Sequence, residues 1–337
     1  MVAQSALMLI LFAGVSAAVL ARLIIAMALR RSILALPNER SSHTVPTPTL
    51  GGIAILIPVL GWCAYRIGQD PLCWAALIGG GLLAVLGLVD DLRDLPARIR
   101  FPFQCAAAGI ALAMVPVAVP LALAPISIEP AWLVFAICFL FLLWMVNLYN
   151  FMDGIDGIAA TQCVAYCAGV LLIGRPAAFT TEFLWVLLGA AAGFLWFNRA
   201  PARIFMGDVG SGLLGLLIAT AALTLDARRQ MPLIASLILL AGFWFDATYT
   251  LCVRIATGQN FTAAHRSHLY QKYARRFGHG RTTTMFWCFA LGWLMPLSWL
   301  SDIAPRWGVV ALAAAVAPLW VAAVRMRAGR PDHGAPA

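Results

Sequence analysis

The chain has 337 residues, 62% of them hydrophobic and only 11% charged, with a net charge of +9 and a mean hydropathy of +0.88. Such a composition excludes a soluble globular protein and a disordered one, and no compact basic domain is present to carry the surplus charge onto nucleic acid. It predicts an all-α polytopic membrane helix bundle, because lipid leaves open backbone groups unsatisfied and the alternation of a barrel strand is missing.

Apolar runs of spanning length, about 20 residues each, recur from end to end. They predict about eleven transmembrane helices, near 5–29, 51–67, 73–89, 102–119, 131–149, 158–174, 183–197, 210–225, 232–253, 284–300 and 307–324. The first run lacks a basic start and continues to Ala28, so it reads as a retained anchor rather than a cleaved leader. The pattern predicts a single transmembrane domain over residues 1–325 and, over 326–337, a short cytoplasmic tail whose end, "PDHGAPA", reads as disordered.

Orientation follows from the basic residues. One side of the bundle gathers most of them, from Arg30 and Arg31 through Arg98, Arg100 and the 254–281 segment to Arg330; the other holds Arg66, Arg175, Arg228, Arg229 and Arg306. The rich side is cytoplasmic, so the N-terminus is periplasmic and the C-terminus cytoplasmic. Arg22, near the inner end of the first span, snorkels. All eight cysteines fall inside or at the ends of spans, without CxxC spacing, and read as small buried residues. Cys63 and Cys73 both lie near the outer face, where a disulfide is the competing reading.

The acidic residues test that topology independently. Asp90, Asp91 and Asp94 end the third span, Asp153 and Asp156 follow the fifth, and Asp208 precedes the eighth; all fall on the cytoplasmic face. Paired carboxylates at a helix C-terminus oppose the macrodipole, so "LVDDLRD" asks for a cation or a bound substrate to relieve it. "NLYNFMDGIDG" places Asn147, Asn150, Asp153 and Asp156 at every third position, a stripe long enough to line a cleft, while Gly154 and Gly157 let backbone approach a ligand. "FMGDVGSG" sets Asp208 and Ser211 between glycines at a helix start, suited to phosphate or to a metal bridging phosphates.

Oxygen ligands in this number favour Mg²⁺, with Mn²⁺ as a substitute ion. Zinc would need more nitrogen or sulfur ligands than His265 and His268 supply, and with Arg266 between them "AAHRSHLY" reads as an anion-binding loop, or as a basic loop drawn to lipid headgroups. Asp246 lies within the ninth span, with Thr250 and Arg254 on the same face. An ionisable residue at that depth either lines the active cleft or pairs with a neighbouring helix.

Five ordered motifs, "SSHTVPTPTLGG", "GLVDD", "NLYNFMDGIDGIAA", "FMGDVGSG" and "AAHRSHLYQKYARR", cover about residues 37–283. Together they resemble the polyprenyl-phosphate N-acetylhexosamine-1-phosphate transferases, glycosyltransferase family 4. The resemblance implies transfer of a HexNAc-1-phosphate from a UDP-N-acetylhexosamine to undecaprenyl phosphate, releasing UMP with Mg²⁺, at the cytoplasmic face of the bacterial inner membrane. It implies that Asp90 and Asp91 engage the lipid phosphate, that Asn147, Asn150, Asp153 and Asp156 serve nucleotide and sugar binding, that Asp208 binds the metal, and that the inner loop falls on His265, Arg266 and His268. Taken with the residues themselves, this makes Asp90, Asp91, Asp153 and Asp156 the catalytic candidates, Asp208 and Asp91 the metal ligands, and Asn147, Asn150, Asp246, His265, Arg266 and His268 the substrate-binding candidates. The peptidoglycan branch, the phospho-N-acetylmuramoyl-pentapeptide transferases, carries a lysine before its TPTMGG-like segment and three clustered histidines. Here "ERSSHTVPTPTLGG" offers Arg40 and His43, and the inner loop reads "HRSH". "AHRSHLYQ" is similar instead to the O-antigen-initiating branch, which uses UDP-linked GlcNAc or 6-deoxy sugars such as FucNAc and QuiNAc. The implied partners are these substrates and membrane lipid, with no nucleic acid; a homodimer is compatible with the sequence. Single displacement assisted by Asp90 or Asp91 and a covalent aspartyl-phosphate route both stay open. A transporter with a cation site at one face is the rival from another class, although such proteins place their sites near the midplane between repeats, and no repeat is found here.

Overall fold

The computed structural model describes residues 2–36, 45–123, 126–260 and 265–330. Arg40, His43 and the end of the tail lie outside the described residues. In chain order come α1 (Val2–Arg31), a β1 (Leu34–Ala35) and β2 (Thr47–Pro48) pair, α2 (Gly52–Tyr65), and α3 (Pro71–Trp74), which runs through a π-helical turn (Ala75–Gly80) into α4 (Gly81–Arg93). Then follow α5 (Ala97–Met114), the β3 (Leu121–Leu123) and β4 (Ile126–Ile128) hairpin, α6 (Ala131–Met152), α7 (Ile158–Ile173), α8 (Ala178–Asn198) and α9 (Asp208–Ala227). The remainder is α10 (Leu233–Leu239), α11 (Ala241–Ala256), α12 (Leu269–Phe277), α13 (His279–Phe289), a second π turn (Ala290–Leu294), α14 (Met295–Ile303), a short 3₁₀ turn and α15 (Gly308–Arg325). The protein is an all-α polytopic membrane bundle. Among the described residues seven helices are long and apolar enough to cross a membrane, or eight if α10 and α11 count as one span; α2 and α7 are apolar but shorter. The expectation of about eleven spans thus finds a helix at every run, but not always one of full length.

The core is organised around α9. Its sequence, "DVGSGLLGLLIATAALTLDA", is apolar on all sides, and a helix with no polar face belongs inside. Its apolar window is 94% buried, against 22% for α1 at the periphery. α6, α4 and α2 pack around it. The α2 crossing is close because both helices carry glycine there: a Cβ on Gly52 would collide with the Gly210 backbone. This contact and the backbone hydrogen bonds from Gly51 to the Phe205 carbonyl and from Gly52 to the Met206 carbonyl hold the start of α9 in place. At the opposite end, Arg66–Glu182 (2.6 Å) and Arg228–Asp70 (2.7 Å) tie α2 to α8 and the α9 exit to the α3 cap. The Cys63 and Cys73 thiols are free and hydrogen-bonded neighbours there. Cys252 and Cys288, expected to be buried, are exposed.

The run at 232–253, expected as one span, is bent by 78° between α10 and α11. The carbonyls released at the break are recovered by side chains: Trp244 Nε1 donates to Leu237 (2.8 Å) and Gln162 Nε2 to Leu239 (3.2 Å). A break in the spanning ladder survives only with such replacement partners. The polar inner loop also contains an unforeseen helix, α12, and the C-terminal turn hooks onto it. Gly329 N donates to the Ser267 carbonyl (2.8 Å) and Lys272 Nζ to the Arg330 carbonyl (3.1 Å). Gly52→Val, which forces α2 away from α9, is expected to lower stability by about 3 kcal/mol, read as an earlier thermal unfolding midpoint in detergent.

Candidate active site

The site begins with the two aspartates that end α4. Asp91 accepts from the backbone amides of Asp208 (2.9 Å) and Val209 (3.2 Å), the first residues of α9. A carboxylate misplaced at one helix C-terminus is thus relieved at the N-terminus of another. Two glycines permit it: a Cβ on Gly207 would lie 2.5 Å from Asp91 Oδ2, and one on Gly87, a turn before Asp91, would strike the Val209 amide. The next α9 amides, of Gly210 and Ser211, donate to the Gly207 carbonyl. The opening turn of α9 therefore has no spare donors for a phosphate, which leaves the Asp208 side chain as its chemical feature.

Asp90 is buried and accepts from Leu95 N and from Arg100 Nη1, both at 2.7 Å. The same Arg100 nitrogen reaches Asp208 Oδ2 at 3.2 Å. Asn150 Nδ2 donates to Asp208 Oδ1 at 2.5 Å and lies 3.3 Å from Ser211 Oγ. Asp94 takes a left-handed conformation (φ 49°) as the α4 cap and is exposed. Asn147 turns back on its own helix, donating to the Leu143 carbonyl.

Asp153 caps the end of α6, half-buried. Burial, then the charges of Asp91 and Asp156, push its carboxyl well above the usual range. The hydrogen bonds that hold Asp90, Asp91 and Asp208 have no counterpart at its carboxylate among the described residues. Asp156 is held from three sides: Ala202 N donates to Oδ2 (3.1 Å), His279 Nδ1 lies 3.2 Å from Oδ1, and Thr283 Oγ1 donates to its carbonyl (2.9 Å).

A cavity of about 280 Å³ joins these groups, lined by Asn150, Asp153, Asp156 and Asp208 together with Thr49, Asn198, Phe205, Ser211, Gln271 and His279. A smaller cleft beside it shares Asn150 and Asp208 and is bounded by Asp90, Arg100, Gln104 and apolar Leu83, Leu86 and Val146. Among the described residues no three His, Cys, Asp or Glu side chains form a ready-made metal cage. Asp208 and the unpartnered Asp153 nevertheless line one pocket, and one or two carboxylates completed by water and substrate phosphates is how Mg²⁺ is usually held. The donor set fits that ion. Asp91 lies against the same corner, but both its oxygens are engaged by α9 amides.

The inner-loop residues build a wall rather than line the cavity. Asp246, buried in α11, accepts from Leu269 N (2.8 Å), Tyr270 N (2.9 Å) and Thr250 Oγ1 (3.0 Å), and lies 3.3 Å from His268 Nδ1. It caps α12, so of the two sequence readings the structure gives the pairing one. His268 is the buried N-cap residue of α12, in a reciprocal box with Gln271. His265 stacks on it at 4.9 Å, and burial, then His268 and Arg254, lower its pKa to about 3. Arg266 passes its carbonyl to Arg275 Nη1. Anchored this way, α12 sends Tyr270 to the Phe151 carbonyl (2.9 Å) and Gln271 into the cavity lining. Sequence reasoning missed Arg100, counted only as a topology charge, although it follows Asp90 across one short turn; Asn198 and His279 carry no motif at all.

The glycosyl transferase family 4 model matches residues 73–226, which hold the aspartate pair, the asparagine–aspartate stripe and Asp208. The chain is 28% identical to a probable undecaprenyl-phosphate N-acetylglucosaminyl 1-phosphate transferase of Bacillus subtilis, over 78% of this chain and 75% of that one. It is also 28% identical to a decaprenyl-phosphate N-acetylglucosaminephosphotransferase of Mycobacterium tuberculosis, over 75% and 71%. A phospho-N-acetylmuramoyl-pentapeptide-transferase of Chlorobium luteolum is 27% identical, over 69% and 68%. Residues 73–226 thus carry the likeness to glycosyl transferase family 4, and relatives at 27–28% identity extend it over 69–78% of the chain. Asp246→Ala is expected to cost about 2 kcal/mol through the lost helix cap and to speed amide hydrogen exchange across 267–277 more than elsewhere.

Proposed function

We propose that the protein transfers a HexNAc-1-phosphate from a UDP-sugar to a polyprenyl phosphate, undecaprenyl phosphate in particular, at the cytoplasmic face of the inner membrane. A lipid phosphate oxygen forms a bond to the sugar-bearing phosphorus, and that phosphorus releases its bridging oxygen to UMP. One observation carries the reading: two adjoining cavities share Asn150 and Asp208, the larger lined also by Asp153 and Asp156 after α6 and the smaller by Asp90 of α4 and by Arg100, where two phosphate-bearing substrates need their charge offset.

Asp208 and Asp153 are the residues that would hold Mg²⁺, or Mn²⁺ in its place, with Asn150 orienting Asp208. When bound, that ion supplies charge neutralisation for the diphosphate and its leaving group. Asp91 fixes the start of α9 and so sets where Asp208 stands. Arg100, already 2.7 Å from Asp90, brings a permanent positive charge to the adjoining apolar cleft, where a lipid-borne phosphate meets polar groups. The polar cavity receives the nucleotide sugar from the water side. Single displacement is the simpler course, because Asp153 and Asp208 are better placed to hold a cation than to attack phosphorus.

The sugar is an N-acetylhexosamine, as in the names of the relatives, either GlcNAc or a 6-deoxy relative such as FucNAc or QuiNAc, and the product is the lipid-linked first sugar of an O-antigen or related surface polysaccharide. Purified protein with undecaprenyl phosphate, Mg²⁺ and a panel of UDP-HexNAc donors, UDP-MurNAc-pentapeptide included, is expected to release UMP; release of UDP, or of nothing, would overturn the reading. Asp208→Ala is expected to lower turnover by more than about a hundredfold. Chelation by EDTA should abolish turnover, and added Mg²⁺ restore it.

A further inference from the structure

Beyond the cavity lining, the chain returns to α12 from its far end. α15 closes at Arg325, Arg327 takes a left-handed conformation (φ 55°), and Ala328 N donates back to the Ala323 carbonyl (2.9 Å), a helix stop that reverses the chain. The reversal delivers Gly329 to a slot on α11 with no room for a side chain. Its φ is 78°, and a Cβ there would lie 2.7 Å from Val253 Cβ and 3.0 Å from the Thr250 carbonyl oxygen. Both backbone groups of Gly329 are engaged: its N donates to the Ser267 carbonyl (2.8 Å), and its carbonyl accepts from Gln259 Nε2 (2.9 Å). Lys272, buried on α12, donates to the next carbonyl, that of Arg330 (3.1 Å). Ala328 packs beside them in an apolar cluster with Leu269 of α12 and Phe245 of α11.

α12 needs such support. It has nine residues, too few to hold a helix in water alone, so its anchors set its place. Asp246 grips its first amides from within the bundle, while the turn at Gly329 holds Ser267 just ahead of it and Lys272 along it. The same short helix meets the larger cavity. Gln271 lines that cavity, and Tyr270 Oη donates to the Phe151 carbonyl (2.9 Å). Gly154, between Asp153 and Asp156, has no space for a Cβ because Tyr270 Oη stands there, with Gln271 Nε2 next to it. Among the described residues, none of α12 lines the smaller cleft.

We infer that Gly329 is a positioning residue for the larger cavity: by clasping α12 it holds Tyr270 and Gln271 against the loop between Asp153 and Asp156, and it leaves the smaller cleft untouched. This rests on the transferase reading, in which the larger cavity takes the UDP-sugar and the smaller one the lipid phosphate. The coupling runs through an unbroken series of hydrogen bonds and packed groups, from Gly329 through Ser267 and Lys272 to Tyr270 and Gly154. Gly329→Val, in the full-length protein in detergent with Mg²⁺, is expected to raise KM for the UDP-HexNAc donor about tenfold, with KM for undecaprenyl phosphate within about twofold of wild type, because a shift of about 1 Å in a positioning element is enough to matter. Amide hydrogen exchange in that variant is expected to quicken across 267–277 and 151–157 while the spanning helices exchange as slowly as before.

A chain ended after Ala328 loses the same contacts without gaining a side chain, and the same split between the two KM values is expected of it. A fall in kcat alone, with both KM values kept, would make the turn a brace for stability only and overturn the inference. So would a rise in both KM values, or unchanged kinetics. Should neither variant fold, the unaltered protein decides through its own exchange: amides of 328–330 that open together with those of 267–277 support the clasp. Amides of 328–330 that exchange far faster, while α12 stays protected, show that α12 stands without the turn and overturn it. Wild-type protein that releases no UMP from any UDP-HexNAc removes the transferase reading, a separate result, and the exchange measurements still decide whether the turn holds α12.

Discussion

The grip of the Asp91 carboxylate on the first two amides of α9 is the contact on which the site depends. It joins a helix end that repels negative charge to one that attracts it, so each cures the other. It also fixes a side chain's position. Asp208 is the first residue of α9, and its direction follows from where that helix begins. Gly87 and Gly207 are small for this reason, and the α2 crossing at Gly52 and Gly210 supports the same turn from the other side.

Around that joint the carboxylates divide by what already holds them. Asp90 and Asp208 share Arg100, Asp91 belongs to α9, and Asp156 is braced by α13 and the loop after α8. Asp153 is left among them without a hydrogen bond to its carboxylate among the described residues, and burial, then the charges of Asp91 and Asp156, raises its proton affinity. Two adjoining spaces result: a larger cavity lined mainly by polar groups, and a narrower cleft in which Leu83, Leu86 and Val146 face Asp90, Arg100 and Asp208.

The sequence made the helices legible because each apolar run is uninterrupted, and it made the carboxylate cluster legible because acids are rare in so oily a chain and fall on one face. It could not disclose the 78° bend, since no proline or polar residue marks it and its carbonyls are satisfied by residues as distant in the chain as Gln162. α12 was hidden by a composition that reads as basic loop, and its stability comes from Asp246, on another helix. The same distance explains why the cap that Asp246 forms on α12 was illegible: a buried carboxylate looks alike in sequence whether it faces a ligand or holds a helix. Asn198 and His279 were beyond reach for a different reason. Both line the larger cavity and His279 pairs with a carboxylate, properties of a folded pocket and not of any residue spacing.

The hook at the C-terminal turn has a practical meaning for anyone handling the protein. Because Gly329 and Arg330 clasp the segment that begins α12, the turn that follows α15 belongs mechanically to the wall that α12 builds. An affinity handle or fluorescent fusion attached close behind Arg330 would pull on that wall.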